Sequence, residues 1–506
     1  MRRNYETALK LLEARKRPAR PKDTAFATPQ EATSPVSNQA LRGVPSLVGM
    51  KEWLQLIGHS DRDIDNLNII HITGTKGKGS TCAFTRSFLL AHGLRTGFPS
   101  KIGLYTSPHL QFIRERIQIN EKPISEELFT KYFFEVWDSL ASNGQRDTVE
   151  NPRQPRYLQL LALLAFHTFV REKVQAAIFE THHGGEYDAT NVIQRPVAAG
   201  ITSLGMDHIT QLGPTVENIA WHKAGIFKRG ALAFSVPQEP VPSEVMRNRA
   251  AEKGSVLEFV PVNDSLPVND KALSVPVQRL NCSLAIRLAR AFLQVKALGQ
   301  ELSADDIING VKNFSWAGRF QIIVDGHSQW FLDGAHNTLS IGQAAVWFAR
   351  NTNPPNEKMY VTLPHFIFSL THYITYFRLR VLIFSHFSAE RDSMELLKCL
   401  ARSLFENGVR PDHVIFTTYD EREDESNKTL KVSGTPLPDF CAMHSSLWKD
   451  LNPESQISIE PTIERAIKRA KQLSAQKDGS QVLVTGSLHL VGGAVNLLRP
   501  CTPSQS

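Results

Sequence analysis

Apolar, β-branched runs that stop abruptly at a glycine, an acid or a hydroxyl recur along this chain of 506 residues. Ile69 to Thr73, I-I-H-I-T, reads as a buried parallel strand. It runs into G-T-K-G-K-G-S-T at 74–81, and an apolar stretch from Phe84 to Leu90 then suits a helix. A second buried strand at 176–179 ends on Glu180, and a third at 197–204 leads to Asp207 and His208. A helical pattern from Thr215 to Ala224 carries Lys223 and stops at Gly225. Trp330 to Leu332 meets D-G-A-H-N at 333–337 before a helix from Ser340. Val381 to Phe384 is a clean strand, and 480–494 repeats strand, glycine–serine turn and helix. Strands alternating with helical patterns predict an α/β protein with mostly parallel sheets flanked by helices.

The remaining pattern fills in the order. Tyr5 to Leu12 reads as a short helix, and residues 47–57 as another, ended by Gly58. A strand-like piece within 95–110 ends at Ser107-Pro108-His109. Residues 114–120, R-E-R-I-Q-I-N, read as a short strand with Arg114 and Arg116 on one face. Left alone, that pair is solvated edge charge. Helices are expected at Ser125–Leu140, Leu158–Val170, Gln278–Gly299 and Leu302–Phe314, with a polar break at 141–155. Residues 237–275 are Pro-rich and read as irregular.

This length exceeds one core, so two domains are expected. The divisions are 1–45, a helix and a basic, Pro-rich disordered linker; 46–315, an N-terminal P-loop ATPase-type domain; and 316–506, a smaller Rossmann-like domain joined at W-A-G-R-F. One stretch, 360–378, is apolar and aromatic but too interrupted for a membrane span; it reads as an insertion or a gene-model error.

Composition excludes some classes. The 57 basic and 50 acidic residues leave a net charge of +7, mild for this length, and no nucleic-acid signature accompanies it. Five scattered cysteines without a C-x-x-C pair suggest neither a disulfide framework nor zinc, and point to a reducing compartment. The Arg-rich start contains Glu6 and Glu13, so a cytoplasmic location is expected, with a mitochondrial pool as the alternative.

The chemistry gathers at strand ends. Gly74, Gly77 and Gly79 let backbone N–H groups face an anion, helped by a helix start. Lys78 can reach terminal phosphates, and a hydroxyl of Ser80 or Thr81 can hold Mg²⁺. The spacing is shorter than the usual G-x-x-x-x-G-K-[ST]. Glu180, at a strand tip, is a candidate Mg²⁺ ligand. His182 and His183 lack the spacing of a transition-metal pair. Gly184-Gly185 suits a close backbone approach, and His208 reads as either a ligand or a structural partner of Asp207.

Taken in order, G-T-K-G-K-G-S-T, Y-T-S-P-H-L, G-G-E-Y-D-A-T-N, D-H…L-G-P-T…K-A-G-I, W-A-G-R and D-G-A-H-N resemble the folylpolyglutamate synthase family, relatives of the Mur ligases, over roughly residues 44 to 500. The resemblance implies an ATP-dependent ligase that phosphorylates a folate's terminal carboxylate and joins L-glutamate to it. It places the active site in the cleft between the domains. Gly74, Thr75, Gly77, Lys78, Gly79, Ser80, Thr81, Asn281, Arg319 and Asp333 would hold ATP. Ser80, Glu180, His208 and Lys223, the last carbamylated, would hold two Mg²⁺ ions, with a monovalent cation such as K⁺ as a further cofactor. Lys78, Lys223, Arg319 and His336 would be catalytic, and Ser107, Pro108, His109 and His336 would meet the substrates. Folate, L-glutamate and ATP are then the partners of a monomer that binds neither nucleic acid nor a membrane. Dihydrofolate synthase, and an inactive nucleotide- or folate-binding relative, remain as alternatives. The chain departs from the family's E-V-G-x-G-G by Thr181 and His182 in E-T-H-H-G-G.

Overall fold

The computed structural model describes residues 2–16, 46–142, 154–268, 270–353, 379–387, 392–422, 437–477 and 479–499. The 360–378 stretch, the 17–45 linker and most of the 141–155 break lie outside the described residues. The chain separates into two compact units, one ending at Ser315 and the other beginning at Trp316.

In the first unit the strands are β1 (Ile69–Thr73), β2 (Ile102–Tyr105), β3 (Ile117–Ile119), β4 (Lys122–Pro123), β5 (Ala176–Glu180), β6 (Ala198–Ile201), β7 (Leu232–Ser235) and β8 (Val256–Phe259). Among the described residues they form one sheet in the order β4-β3-β2-β5-β1-β6-β7-β8. Neighbours from β2 to β8 are parallel, while β3 and β4 add an antiparallel edge. Every residue of β1 and β5 is buried, which is why both faces of these strands read apolar. Ile72 lies opposite Glu180, and Thr73 opposite Ile201. The C-terminal tips of β5, β1 and β6 therefore stand side by side, where open α/β sheets take their ligands.

The N-terminal helix, Tyr5–Glu13, belongs to this unit. Asn4 caps it by accepting from the Thr7 N–H at 2.9 Å, and Ala8 and Leu12 enter the core shared with Phe129, Phe133 and Phe166. Tyr5 meets Phe129 edge-on at 5.5 Å.

Two expectations fail here. The Pro-rich 237–275 stretch is not irregular: it contains a helix, Pro240–Lys253, and β8. Pro240 and Pro242 lie in the helix's first turn, where a missing N–H costs nothing, so they start the helix. Residues 113–116 are a turn of 3₁₀ helix, with the strand starting only at Ile117. Arg114 and Arg116 therefore do not share an extended face. Nor are they solvated edge charge, since Arg116 is only 5% exposed.

In the second unit the strands are β9 (Gln321–Asp325), β10 (Ser328–Asp333), β11 (Leu379–Phe384), β12 (His413–Thr417), β13 (Gln456–Glu460) and β14 (Ser480–Thr485). Their order is β13-β12-β11-β14-β10-β9, parallel except for the β9–β10 hairpin. β10 ends on Asp333, and Asn337 caps the helix Thr338–Thr352 that follows. Among the described residues no helix is long and apolar enough to cross a membrane.

Candidate active site

The chain leaves β1 through two glycines with left-handed or extended positive φ, Gly74 at +150° and Gly77 at +88°. The space is as restrictive as the angles. A Cβ on Gly74 would lie 1.8 Å from Thr202 Oγ1, and one on Gly77 would lie 2.3 Å from Asn281 Oδ1. The loop between them is pinned to the β6 tip. Thr75 and Lys76 donate their N–H groups to the Ser203 carbonyl at 3.0 and 3.2 Å, and Thr75 Oγ1 donates to Gly205 O at 3.1 Å. Gly77 caps the helix Lys78–Thr96, which starts six residues before the apolar run that announced it. Lys78, Gly79 and Ser80 thus open its first turn with N–H groups that lack helical acceptors and favour an anion, while the Thr81 N–H already donates to the Gly77 carbonyl at 2.8 Å.

Two amines converge on this loop. Lys78 Nζ donates to the Gly74 carbonyl at 3.1 Å, and Lys223 Nζ donates to the same oxygen at 2.7 Å. Burial pushes the Lys223 amine well below the usual lysine range, and the Lys78 charge pushes it further. Asp207 and Asp188 oppose this only in part. Lys223 is delivered by the helix Val216–Ala224, capped by Thr215. A Cβ on Gly185 would lie 2.6 Å from His222 O and 2.8 Å from Lys223 O. Gly185 thus lets the lysine-bearing helix close on the β5 loop.

His208, at φ +52°, stacks on His183 with ring centroids 5.1 Å apart, while neighbouring Asp207 pairs with Lys76 at 3.2 Å. Burial, His183 and the two nearby lysines lower the His208 imidazole to about 3 against the pull of Asp207, which leaves it neutral. Glu180 ends β5 and accepts hydrogen bonds from Thr106 Oγ1 and from the Ser107 N–H, the latter at 3.3 Å. The Ser107–Pro108 peptide is cis. Arg116 grips both sides of it, with Nη1 2.9 Å from Ser107 Oγ and Nε 2.9 Å from His109 Nδ1.

Three buried atoms beside the glycine loop, Thr81 Oγ1, Thr202 Oγ1 and Asn281 Oδ1, have no hydrogen-bond partner among the described residues. Asn281 Nδ2 is held by Gln278 at 3.2 Å.

The second unit gathers its own cluster around Gly334. Asp333 accepts from the Phe320 N–H at 2.9 Å and the Ala335 N–H at 3.0 Å. Arg319 Nη1 donates to Gly318 O at 3.0 Å and lies where a Cβ on Gly334 would come within 2.7 Å. His336 Nδ1 is 2.8 Å from Gly334 O.

No protein-family profile matches the chain. It is 39% identical over 472 residues to the folylpolyglutamate synthase of Neurospora crassa, covering 90% of this chain and 85% of that one. This chain belongs to the folylpolyglutamate synthase family. The folylpolyglutamate synthase of Saccharomyces cerevisiae (strain AWRI796) is 37% identical over 475 residues, covering 88% of this chain and 80% of that one. Among solved structures, the Mycobacterium tuberculosis folylpolyglutamate synthase complexed with ADP and AMPPCP has a TM-score of 0.69 at 23% identity, covering 90% of this chain and 96% of that one. The bifunctional folylpolyglutamate synthase/dihydrofolate synthase of Yersinia pestis CO92 has a TM-score of 0.66 at 22% identity, covering 98% of this chain and 98% of that one. At these identities the likeness is one of fold.

The departure from the family's motif, Thr181-His182, is absorbed by its surroundings. Thr181 Oγ1 donates to Thr73 Oγ1 at 2.9 Å, which donates to Gly184 O at 2.6 Å. The His182 and His183 N–H groups both donate to Asp188 Oδ2 at 3.0 Å, and His182 Nε2 lies 2.6 Å from the Tyr105 hydroxyl. Burial pushes the Asp188 carboxyl up, but the facing His182 and His183 and the Thr190 N–H outweigh it and hold the group ionised. Glu180 keeps its place at the strand tip.

Sequence reasoning missed Thr202, Asp188 and Arg116. Thr202 directly follows β6, so the strand-tip rule that selected Glu180 could have found it.

Proposed function

We propose that this chain is an ATP-dependent ligase that adds L-glutamate to folates through a γ-glutamyl amide. One observation carries the reading: a glycine loop at a helix start whose first carbonyl holds the amines of both Lys78 and Lys223. Family membership over most of both chains supports it.

A carboxylate is a poor acylating agent at neutral pH. Transfer of the ATP γ-phosphoryl group to the folate's terminal γ-carboxylate gives ADP and an acyl phosphate. The glutamate amine then attacks the acyl carbon and expels phosphate. Two anions must meet, so the first-turn N–H groups and the Lys78 charge offset repulsion as phosphate moves. Asn281 closes over Gly77 and would border the nucleotide. Asp333, Arg319 and His336 are assigned to nucleotide and glutamate, and Ser107, Pro108 and His109 to the acceptor.

The donor chemistry fits Mg²⁺. Among the described residues no group of three or more His, Cys, Asp or Glu side chains forms a metal cage. Mg²⁺ on a nucleotide takes few protein ligands and favours oxygen. Ser80 supplies a hydroxyl, Glu180 a carboxylate and His208 a neutral imidazole. Burial holds the Lys223 amine well below the usual lysine range, which favours the neutral form that adds CO₂ to become a carbamate, and this would complete the set. When bound, Mg²⁺ would neutralise charge on the phosphates.

The test incubates the protein with ATP, Mg²⁺, labelled glutamate and either tetrahydrofolate or dihydropteroate. Incorporation into tetrahydrofolate is expected. Incorporation into dihydropteroate alone makes the chain a dihydrofolate synthase, and ATP binding without incorporation makes it an inactive relative. Omitting K⁺ from the same assay tests the monovalent-cation requirement. A cytosolic location goes with this reading, in keeping with the free thiols of Cys82, Cys282, Cys399 and Cys441. Fractionation tests it against a mitochondrial pool.

A further inference from the structure

The triplet Arg114-Glu115-Arg116 lies outside every role given above, yet its side chains fold back onto the loop 107–112. Arg116 is buried and spans two loop residues at once, Ser107 Oγ and His109 Nδ1, at 2.9 Å each. Glu115 takes the other end. Its carboxylate accepts from three consecutive N–H groups, those of Leu110 at 2.7 Å, Gln111 at 3.0 Å and Phe112 at 3.1 Å. Burial pushes the Glu115 carboxyl up, against the pull of those three donors and of Arg116. Arg114 locks the turn from outside: Nη1 donates to Ile124 O at 2.8 Å, and its guanidinium lies 4.7 Å from the Phe112 ring centre and 5.6 Å from that of Tyr5 on the N-terminal helix. The loop's first residue, Ser107, donates its N–H to Glu180. The sequence 107–112 is thus held at both ends by one turn of 3₁₀ helix.

We propose that Arg116 is a positioning residue for acceptor recognition, acting through Ser107 and His109, with Glu115 holding the far end of the same loop. The proposal rests on the folate-ligase reading, because that reading makes 107–109 the acceptor loop. The planar guanidinium fork is what the geometry uses: two donors on one rigid plane hold two side chains on either side of Pro108 in fixed relation. A lysine ammonium offers charge without that fork. An acceptor reaching the loop then meets side chains already in place, so the ordering cost is not charged to binding.

The test compares wild type, R116A and R116K. Steady-state constants are measured for tetrahydrofolate, ATP and glutamate, with hydrogen exchange of the 107–112 amides alongside. Expected for R116A is a tetrahydrofolate KM raised about tenfold or more, ATP and glutamate KM within twofold of wild type, and faster exchange at Ser107 and His109, the residues Arg116 holds. R116K, which preserves charge and most of the volume, should show a smaller rise in the same constant. Unchanged tetrahydrofolate KM in both variants, or a parallel rise in all three constants, overturns the proposal. If R116A does not fold, R116K alone decides by the same criteria. Should wild type incorporate no glutamate, the folate reading falls by itself. Exchange at 107–112 then decides the clamp: faster in the variants sustains it, unchanged removes it.

Discussion

Two loops flank the strand tips of the first unit, and they treat their polar groups in opposite ways. The glycine loop after β1 has buried atoms beside it with no partner among the described residues, Thr81 Oγ1, Thr202 Oγ1 and Asn281 Oδ1, and crowds two amines onto one carbonyl. In the loop after β2, Arg116 and Glu115 supply partners at Ser107, His109 and the N–H groups of Leu110, Gln111 and Phe112. An unpaired buried polar atom costs about 1–3 kcal/mol. The first loop is therefore held at a stability cost that a polar ligand would relieve, while the second is already relieved by the protein. One side is completed by what binds; the other is finished beforehand.

The sharpest way to break that contrast is K78A. Removing the charge aimed at the phosphates should lower glutamate incorporation about 10³-fold while the thermal unfolding curve keeps its shape. A variant with wild-type turnover removes the loop from the mechanism.

Acid should discriminate next. Elsewhere in the first unit, His59 Nε2 lies 2.9 Å from His167 Nδ1, and His167 Nε2 lies 2.8 Å from Glu135. Burial, together with the facing His167, lowers His59 to about 4. The folded state thus keeps His59 neutral at pH values where the unfolded chain, at about 6.5, already binds a proton. Stability from this group is full above pH 6.5 and is lost as pH falls toward 4, by about 3 kcal/mol in all. Denaturant midpoints measured from pH 7 to 4 should fall, and H59Q should flatten the slope.

G74A tests the crowding on the nucleotide side. Its Cβ would meet Thr202 Oγ1 at 1.8 Å, so a loss of about 2 kcal/mol is expected by denaturant titration, together with weaker ATP binding. T202V should have the smallest effect and the opposite sign. Replacing the unpaired hydroxyl with a methyl should raise the stability of the unliganded protein by about 1 kcal/mol while weakening nucleotide affinity. A destabilised T202V would show that the hydroxyl is satisfied after all, and the contrast between the loops would weaken.

The strands were legible because buried parallel strands write continuous apolar runs, and their tips because each run ends on a chemically distinct residue. That sufficed to pick out Lys78 and Glu180 as candidates and to leave His208 open, while the role of Asp333 came only with the family resemblance. The convergence of Lys223 on Gly74 was not legible in local pattern. The two are joined only by the β5-β1-β6 order and by a helix laid against Gly185. Period-two reasoning failed at Arg114 and Arg116 because alternating charge looks the same in a strand and in one turn of 3₁₀ helix. It failed again at 237–275, where proline was read as a breaker and acts as an initiator.

Gly185 leaves no clearance to the peptide carrying Lys223, with carbonyl oxygens within 2.8 Å of where a Cβ would stand. Backbone cannot swing aside as a side chain can. Gly184, despite its φ of +68°, would press chiefly on the tip of Leu212, which can turn away. A saturation library under selection for turnover should therefore return glycine alone at 185 while letting asparagine through at 184. Any descendant that relinquishes Gly185 must relinquish the lysine's position with it.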